Sequence, residues 1–216
     1  MIRLSLIIAT YNRAEQLMTT LKSVAEQNSP SELWECVVVD NNSKDDTRER
    51  VNDFAAMHPE LNIRYVFEGV QGLSAARNAG IRASQGEIVA FIDDDERIVE
   101  GFIAAYIDLF DSHTDAMSAG GKIIAEYPSG RPRWMSAFTE RPIANTMYFG
   151  DEVREFPRGR VPGGGNMALR RSAVRRYGVF DTSLGYVGET LITDANVNEL
   201  LSLDLQGNTL DIRNSN

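Results

Sequence analysis

Three runs in the first half of this sequence, LSLIIA at 4–9, CVVV at 36–39 and EIVAFI at 87–92, are apolar almost without interruption. A strand with one wet face alternates apolar and polar residues. Runs like these therefore belong to strands covered on both faces, the condition of a parallel sheet. Helix-period segments lie between them. Leu17, Leu21 and Val24 recur at i, i+4 and i+7, and Asn12 with Glu15 has the spacing of a capping box in front of them. Val51 and Phe54 mark a second helix, opening at Asp46 or Thr47 and ending at His58-Pro59. A further strand is expected at 62–67, and the small residues of LSAARNAGIRAS (73–84) suit a helix lying close to a sheet. Strand and helix alternating over about 90 residues build βαβ units with right-handed crossovers. The fold class is α/β: an open, mainly parallel twisted sheet with helices on both faces.

Ligands of such sheets bind beyond the carboxyl ends of the strands. That rule puts Thr10-Tyr11-Asn12, Asp40-Asn41-Asn42 and Asp93-Asp94-Asp95 along one edge, as one expected site. The aspartate triplet is the most demanding of the three, because adjacent anions repel. Oxygen ligands clustered at a strand end suit a hard divalent cation, and magnesium is commonly held by one or two carboxylates plus substrate phosphates. The alternative is a solvated acidic turn ahead of the helix that follows Glu100.

The second half is less regular. Residues 101–110 form an amphipathic helix with Phe102, Ile103, Tyr106, Ile107 and Phe110, and 116–125 is expected as a strand pair. Residues 127–160, rich in proline, arginine and aromatics, form an excursion of a length usually reserved for functional or mobile segments. A glycine turn at 163–165 precedes a short helix from Ser172 that stops at Gly178. Beyond Glu189 the chain has no aromatic residue and is acidic and rich in asparagine, so it is expected to be an atypical, weakly ordered or truncated tail.

Composition narrows the function. At 216 residues the chain suits one domain, and no apolar run reaches the roughly 18 residues of a membrane helix. MIRLSLIIATYN has no cleavage site and reads as a strand rather than a signal peptide. The single cysteine, Cys36, is expected as a buried thiol, with the cytoplasm as the default compartment. A net charge of −9 argues against nucleic acid as a partner. Between Arg131 and Arg176, however, ten arginines face only Glu140, Asp151, Glu152 and Glu155, a local balance of +6. That stretch is either a solvated face or a surface for an anionic substrate or lipid headgroups. No GxxxxGK[ST] loop and no GxGxxG after the first strand exist, which argues against P-loop and dinucleotide-binding readings. His58 and His113 stand at expected helix ends with no Ser or Cys nucleophile motif beside them, so a hydrolase lacks support.

Taken together, SLIIATYNRAEQL, CVVVDNNSKDDT, GLSAARNAGI, GEIVAFIDDDERI and GGGNMALRRSAVRRYGVFDTSLGYVGE resemble a family 2 glycosyltransferase of GT-A fold, over most of residues 4–189. The resemblance implies a nucleotide-binding half at 1–98, an acceptor-side half at 99–189 with a smaller mixed sheet, and an atypical segment at 190–216. It also implies a nucleotide-diphosphate sugar donor, with UDP favoured, and Mn2+ or Mg2+. Tyr11 would lie against the base, with Ala9 and Thr10 lining its pocket, and Asp40 would accept the base N–H at an unpaired buried edge. Arg77 would face the diphosphate or support the acidic cluster. Asp93 would hold the nucleotide-sugar side and share the metal with Asp95, while Asp94 fills the middle position of the nucleotide-binding motif and is expected to face solvent. Gly164, Gly165 and Asn166 would line the acceptor side. Where the family commonly has Gly-Glu-Asp, with the aspartate as base, this chain has Gly188-Glu189-Thr190. A threonine hydroxyl is no base near neutral pH, which leaves Glu189, or Asp194 by another backbone path.

The implied activity is metal-dependent, inverting sugar transfer to a hydroxyl acceptor, lipid-linked or anionic, in polysaccharide or glycoconjugate synthesis. Peripheral contact with the inner face of a membrane follows from the basic stretch, and no protein partner is implied. Two alternatives stand beside it. One is a nucleotide-sugar-binding domain without a competent base, and the other is a nucleotidyltransferase of similar architecture.

Overall fold

Every residue of β2 (Trp34–Asp40) is buried, as is all of β1 (Leu4–Thr10) except Ala9. These are the two-faced strands that the uninterrupted apolar runs demand. The structure is a computed structural model, and it describes residues 1–192 apart from 128, 137, 141–145, 158–159 and 188–189. β3 (Ile63–Phe67), β4 (Ile88–Asp93), β5 (Ser118–Gly120) and β6 (Met167–Arg170) complete a six-stranded sheet in the order β3-β2-β1-β4-β6-β5. The first four strands run parallel, and β6 lies antiparallel to both β4 and β5. A separate antiparallel hairpin, β7 (Gly185–Val187) and β8 (Thr190–Ile192), follows.

The pleat sorts side chains between two cores. Leu4, Leu6, Ile8, Cys36, Val38, Ile88 and Ala90 face α1 (Ala14–Ala25), α2 (Thr47–Met57) and α4 (Phe102–Ser112). Ile7, Val37, Val39, Val89 and Phe91 face α3 (Leu73–Ala83) and α5 (Arg171–Tyr177). Leu17, Leu21 and Val24 are fully buried, each worth roughly 1.5–3 kcal/mol of transfer free energy. α3 sits so close to the sheet that a Cβ on Gly80 would lie 2.4 Å from Ile7 Cγ2. The small residues of that helix are therefore required by its distance from β1.

Register positions the site. Thr10 pairs with Asp40, and Ala9 with Asp93, so β1, β2 and β4 end level with one another. The opposite end of the sheet holds a closed ionic knot. Glu35 is fully buried and accepts from Ser5 Oγ at 2.6 Å, from Arg64 Nη2 at 2.6 Å and from the Gln85 N–H at 2.6 Å.

Several expectations need correction. No side chain of α1's own turn caps it; Asn12 Oδ1 instead accepts from the Lys44 N–H at 2.7 Å, and Asp45 Oδ2 accepts from the Ala14 N–H at 3.1 Å. A neighbouring loop supplies the cap that sequence spacing assigned locally. Residues 116–125 hold one short strand, β5, and an isolated bridge between Ile123 and Met147, not a strand pair. His58 and His113 are C-cap residues, as expected. Cys36 is buried with its thiol pushed up to about 12, by burial first and the neighbouring Glu35 second. Among the described residues no helix is long and apolar enough to cross a membrane. The expectation for the tail from 193 onward lies outside the described residues.

Candidate active site

At the end of β4 the backbone stops being a strand and the three aspartates diverge. Asp94 turns inward: it is 5% exposed, accepts from Thr10 Oγ1 at 2.7 Å, and its carbonyl accepts from Thr20 Oγ1 at 2.8 Å. The expectation of a solvent-facing Asp94 is thus wrong, because β1 offers a hydroxyl one strand away and α1 a second. Asp93 and Asp95 keep side chains 46% and 48% exposed. These two open toward the strand-end crevice, and Asp94 fastens the turn beneath them.

Two guanidinium groups answer the crowded anions. Arg13 bridges Asp94 Oδ1 at 2.8 Å and Asp95 Oδ2 at 2.6 Å. Arg77 is 8% exposed; it donates to Asp93 Oδ1 at 3.3 Å and to the Gly164 carbonyl at 3.1 Å, and its guanidinium lies against the rings of Phe91 and Phe180, which themselves meet edge to face. Asn78, one residue on in α3, exchanges hydrogen bonds with the Phe180 backbone at 2.8 and 3.0 Å. That exchange fixes the segment carrying one of these rings.

Compensation is incomplete. Burial pushes Asp94 up to about 6, outweighing the Thr10 hydroxyl and the Arg13 charge that favour its ionised form. Asp93 is also raised, by burial first, with Arg77 opposing and Asp95 adding. Glu96 is pushed up to about 8 by burial and then by Asp93, although the Asp93 N–H donates to it at 3.1 Å. Four acidic groups therefore share two guanidinium charges, and burial favours the neutral form of Asp93, Asp94 and Glu96.

That donor set fits a hard cation in a limited way. Among the described residues no three His, Cys, Asp or Glu side chains converge as a ready-made metal site. Asp93 and Asp95 can supply one or two oxygens, leaving phosphate and water to complete the shell of Mg2+ or Mn2+.

The remaining expected residues fall around this centre. Ala9 and Tyr11 are half-buried at the end of β1, beside buried Thr10. Asp40 is 3% exposed, but its edge is not unpaired: Oδ1 accepts from the Ser43 N–H at 2.8 Å and Oδ2 from the Tyr65 hydroxyl at 2.7 Å. Reception of a base N–H at Asp40 would use a remaining lone pair. Gly164 and Gly165 come to the cluster, and the reason for a glycine is the protein itself: a Cβ on Gly165 would lie 2.1 Å from Glu96 Oε1. Asn166 is committed elsewhere, accepting from the Tyr106 hydroxyl and donating to the Lys122 carbonyl at 3.1 Å. It braces the glycine turn against α4. Glu189 and Asp194 lie outside the described residues. Sequence reasoning missed Arg13, Glu96 and Tyr65. Arg13 directly follows Tyr11-Asn12 in a polar turn, and nothing in that stretch showed that it points back at β4.

Comparison with known proteins agrees with this geometry. The family model for glycosyl transferase family 2 matches residues 5–178, which run from the second residue of β1 through β6 and include the triplet. Glycosyltransferase AglE of Haloferax volcanii is 36% identical over 126 residues, covering 58% of this chain and 41% of that protein. Glucosyl-dolichyl phosphate glucuronosyltransferase of the same organism is 26% identical over 197 residues, covering 87% of this chain and 58% of that protein. The chain therefore spans about half the length of these relatives. Among solved structures, the mannosyltransferase PcManGT from Pyrobaculum calidifontis, in complex with GDP-Man and Mn2+, superposes with a TM-score of 0.63 at 25% identity, over 86% of this chain and 49% of that one. S. aureus TarS in complex with UDP gives a TM-score of 0.67 at 22% identity, over 85% of this chain and 52% of that one, a likeness of fold. The six-stranded, mostly parallel sheet matches the GT-A arrangement of these glycosyltransferase structures. With the family's pattern running through the whole main sheet and the loops that end it, the chain belongs to glycosyl transferase family 2.

Proposed function

We propose that the crevice at the ends of β1, β2 and β4 binds a nucleoside-diphosphate sugar, and that the protein carrying this chain transfers the sugar, with inversion, to a hydroxyl acceptor. One observation carries the reading: Thr10, Arg13, Arg77 and the 93–95 carboxylates converge at three level strand ends. Tyr11 and the edge near Asp40 take the base, with UDP the expected nucleotide. Arg77, buried and fixed, faces the diphosphate with a charge that needs no reorganisation during reaction. Asp95 and Asp93 would hold a Mn2+ or Mg2+ ion, which would supply Lewis-acid stabilisation to the leaving diphosphate. The anomeric C–O bond to that diphosphate breaks as the acceptor oxygen bonds to the anomeric carbon from the opposite face. The acceptor's proton passes to a carboxylate, for which Glu189 is the candidate, and the nucleoside diphosphate leaves.

For the acceptor, the basic stretch and its exposed aromatics favour a lipid-linked or anionic molecule. Trp134 and Phe138 are 68% and 89% exposed, with Arg131 and Arg133 beside them in the chain. A relative named for a dolichyl-phosphate-linked glucose supports the same class. The donor reading is tested by calorimetry of UDP, GDP and TDP, each with and without Mn2+. Expected is a Mn2+-dependent affinity for one of them that Asp95→Asn weakens at least tenfold. Absence of binding by all three, with Mn2+ present, overturns it.

A further inference from the structure

We propose that Arg13 is a displaceable internal counter-ion: it neutralises Asp95 until a divalent cation enters by taking its place. The inference rests on the reading of the crevice as a nucleotide-sugar site.

The two arginines of the cluster are built differently. Arg77 is held by an ion pair, a backbone carbonyl and two aromatic rings, and its side chain is 10% exposed. It cannot leave without opening the core. The Arg13 side chain is 42% exposed, and among the described residues its guanidinium hydrogen-bonds only Asp94 and Asp95. Its backbone is secured independently of those bonds. Asn12, at φ 52°, donates from its N–H to Ser43 Oγ at 2.9 Å and accepts from the Lys44 N–H, while the Ala14 N–H donates to Asp45. The side chain can therefore swing out while the turn stays in place, and a rotamer change is a small motion.

Competition follows from where the guanidinium sits. Nη2 lies 2.6 Å from Oδ2 of Asp95, whose half-exposed side chain is open to a cation arriving from solvent. Two cations on one oxygen repel, so the ion binds only as Arg13 withdraws. Asp94 keeps its Thr10 hydrogen bond when that happens, so the turn survives the exchange. The withdrawn guanidinium has the planar fork that suits a phosphate. The exchange thereby favours a cation that brings a diphosphate over a cation alone.

The test is Mn2+ binding without nucleotide, by calorimetry or electron paramagnetic resonance at fixed ionic strength, for the wild-type chain, Arg13→Gln and Arg13→Lys. Expected is about tenfold tighter Mn2+ binding by R13Q, with R13K near wild type because it keeps the competing charge. Equal or weaker binding by R13Q overturns the proposal. If the wild type still binds Mn2+ together with UDP in that case, only the role of Arg13 falls. If neither wild type nor R13Q binds Mn2+ even with UDP present, the nucleotide-sugar reading falls with it.

Discussion

Replacing Thr10 by valine removes one hydroxyl and leaves the shape of β1 intact. The lost bond is the 2.7 Å donation to Asp94, a carboxylate that is 5% exposed and keeps Arg13 as its other side-chain donor. A hydrogen bond to a charged group contributes about 1.5–3 kcal/mol, and one between neutral groups about 0.5–1.5 kcal/mol. Which figure applies depends on pH, because Asp94 is pushed up to about 6. Its unfolded value lies near 3.9, so between those two values the native state holds the extra proton and stability falls as pH rises. At pH 5 the native carboxyl is mostly protonated, and T10V loses a neutral bond, about 1 kcal/mol. At pH 7.5 the carboxylate is ionised, and the loss is about 2 kcal/mol. For a chain of this size those losses lower Tm by about 2–4 °C and 4–8 °C respectively. The difference of about 1 kcal/mol corresponds to a further rise of about 0.7 units in the Asp94 pKa. Urea denaturation followed by circular dichroism at the two pH values measures it. A destabilisation that is the same at pH 5 and pH 7.5, or larger at pH 5, would refute the claim that Thr10 supports an ionised, buried carboxylate.

Gly86→Ala places a methyl group 2.6 Å from the Ser5 backbone nitrogen, which cannot swing aside, and is expected to destabilise by about 1–3 kcal/mol, read as a lowered urea midpoint; an unchanged midpoint denies the close approach. Glu189→Gln is expected to reduce the initial rate of sugar transfer about a hundredfold while leaving nucleotide affinity alone, and an unaltered rate removes Glu189 from the base role. Arg133→Gln combined with Trp134→Ala is expected to lower affinity for vesicles containing anionic lipid about fivefold, near 1 kcal/mol for the charge, without altering UDP affinity. Equal loss of both affinities would show that the stretch serves the nucleotide instead.

The strands were legible because burial on two faces leaves a mark that few other environments produce. β1, β2 and β4 lie within a residue or two of where their apolar runs put them, and Thr10, Asp40 and Asp93 end them as expected. What the sequence could not convey was the partner of each polar side chain. Asn12 has the spacing of a helix cap, but the loop at 43–45 lies close enough to outcompete it. Asp94 reads as the spare member of a triplet until a hydroxyl from a parallel neighbour claims it. Arg13 is one of 22 basic residues, and nothing local separates it from the rest. Asn166 follows a glycine turn as a ligand-facing residue would, yet Tyr106, sixty positions earlier, takes its side chain. Periodicity reports which face a residue occupies; long-range pairing between polar groups leaves no such record.

The same sheet carries carboxylates at both ends, and they have opposite fates. Glu35 is answered on every side by a hydroxyl, a guanidinium and a peptide donor, so it has nothing left to offer a solute and acts as a rivet. The aspartates at the far rim share too few donors and stay hungry for positive charge. Damage to the rivet should therefore be felt as melting and damage to the rim as lost appetite for ligand, so one scaffold keeps its durability and its reactivity at separate addresses.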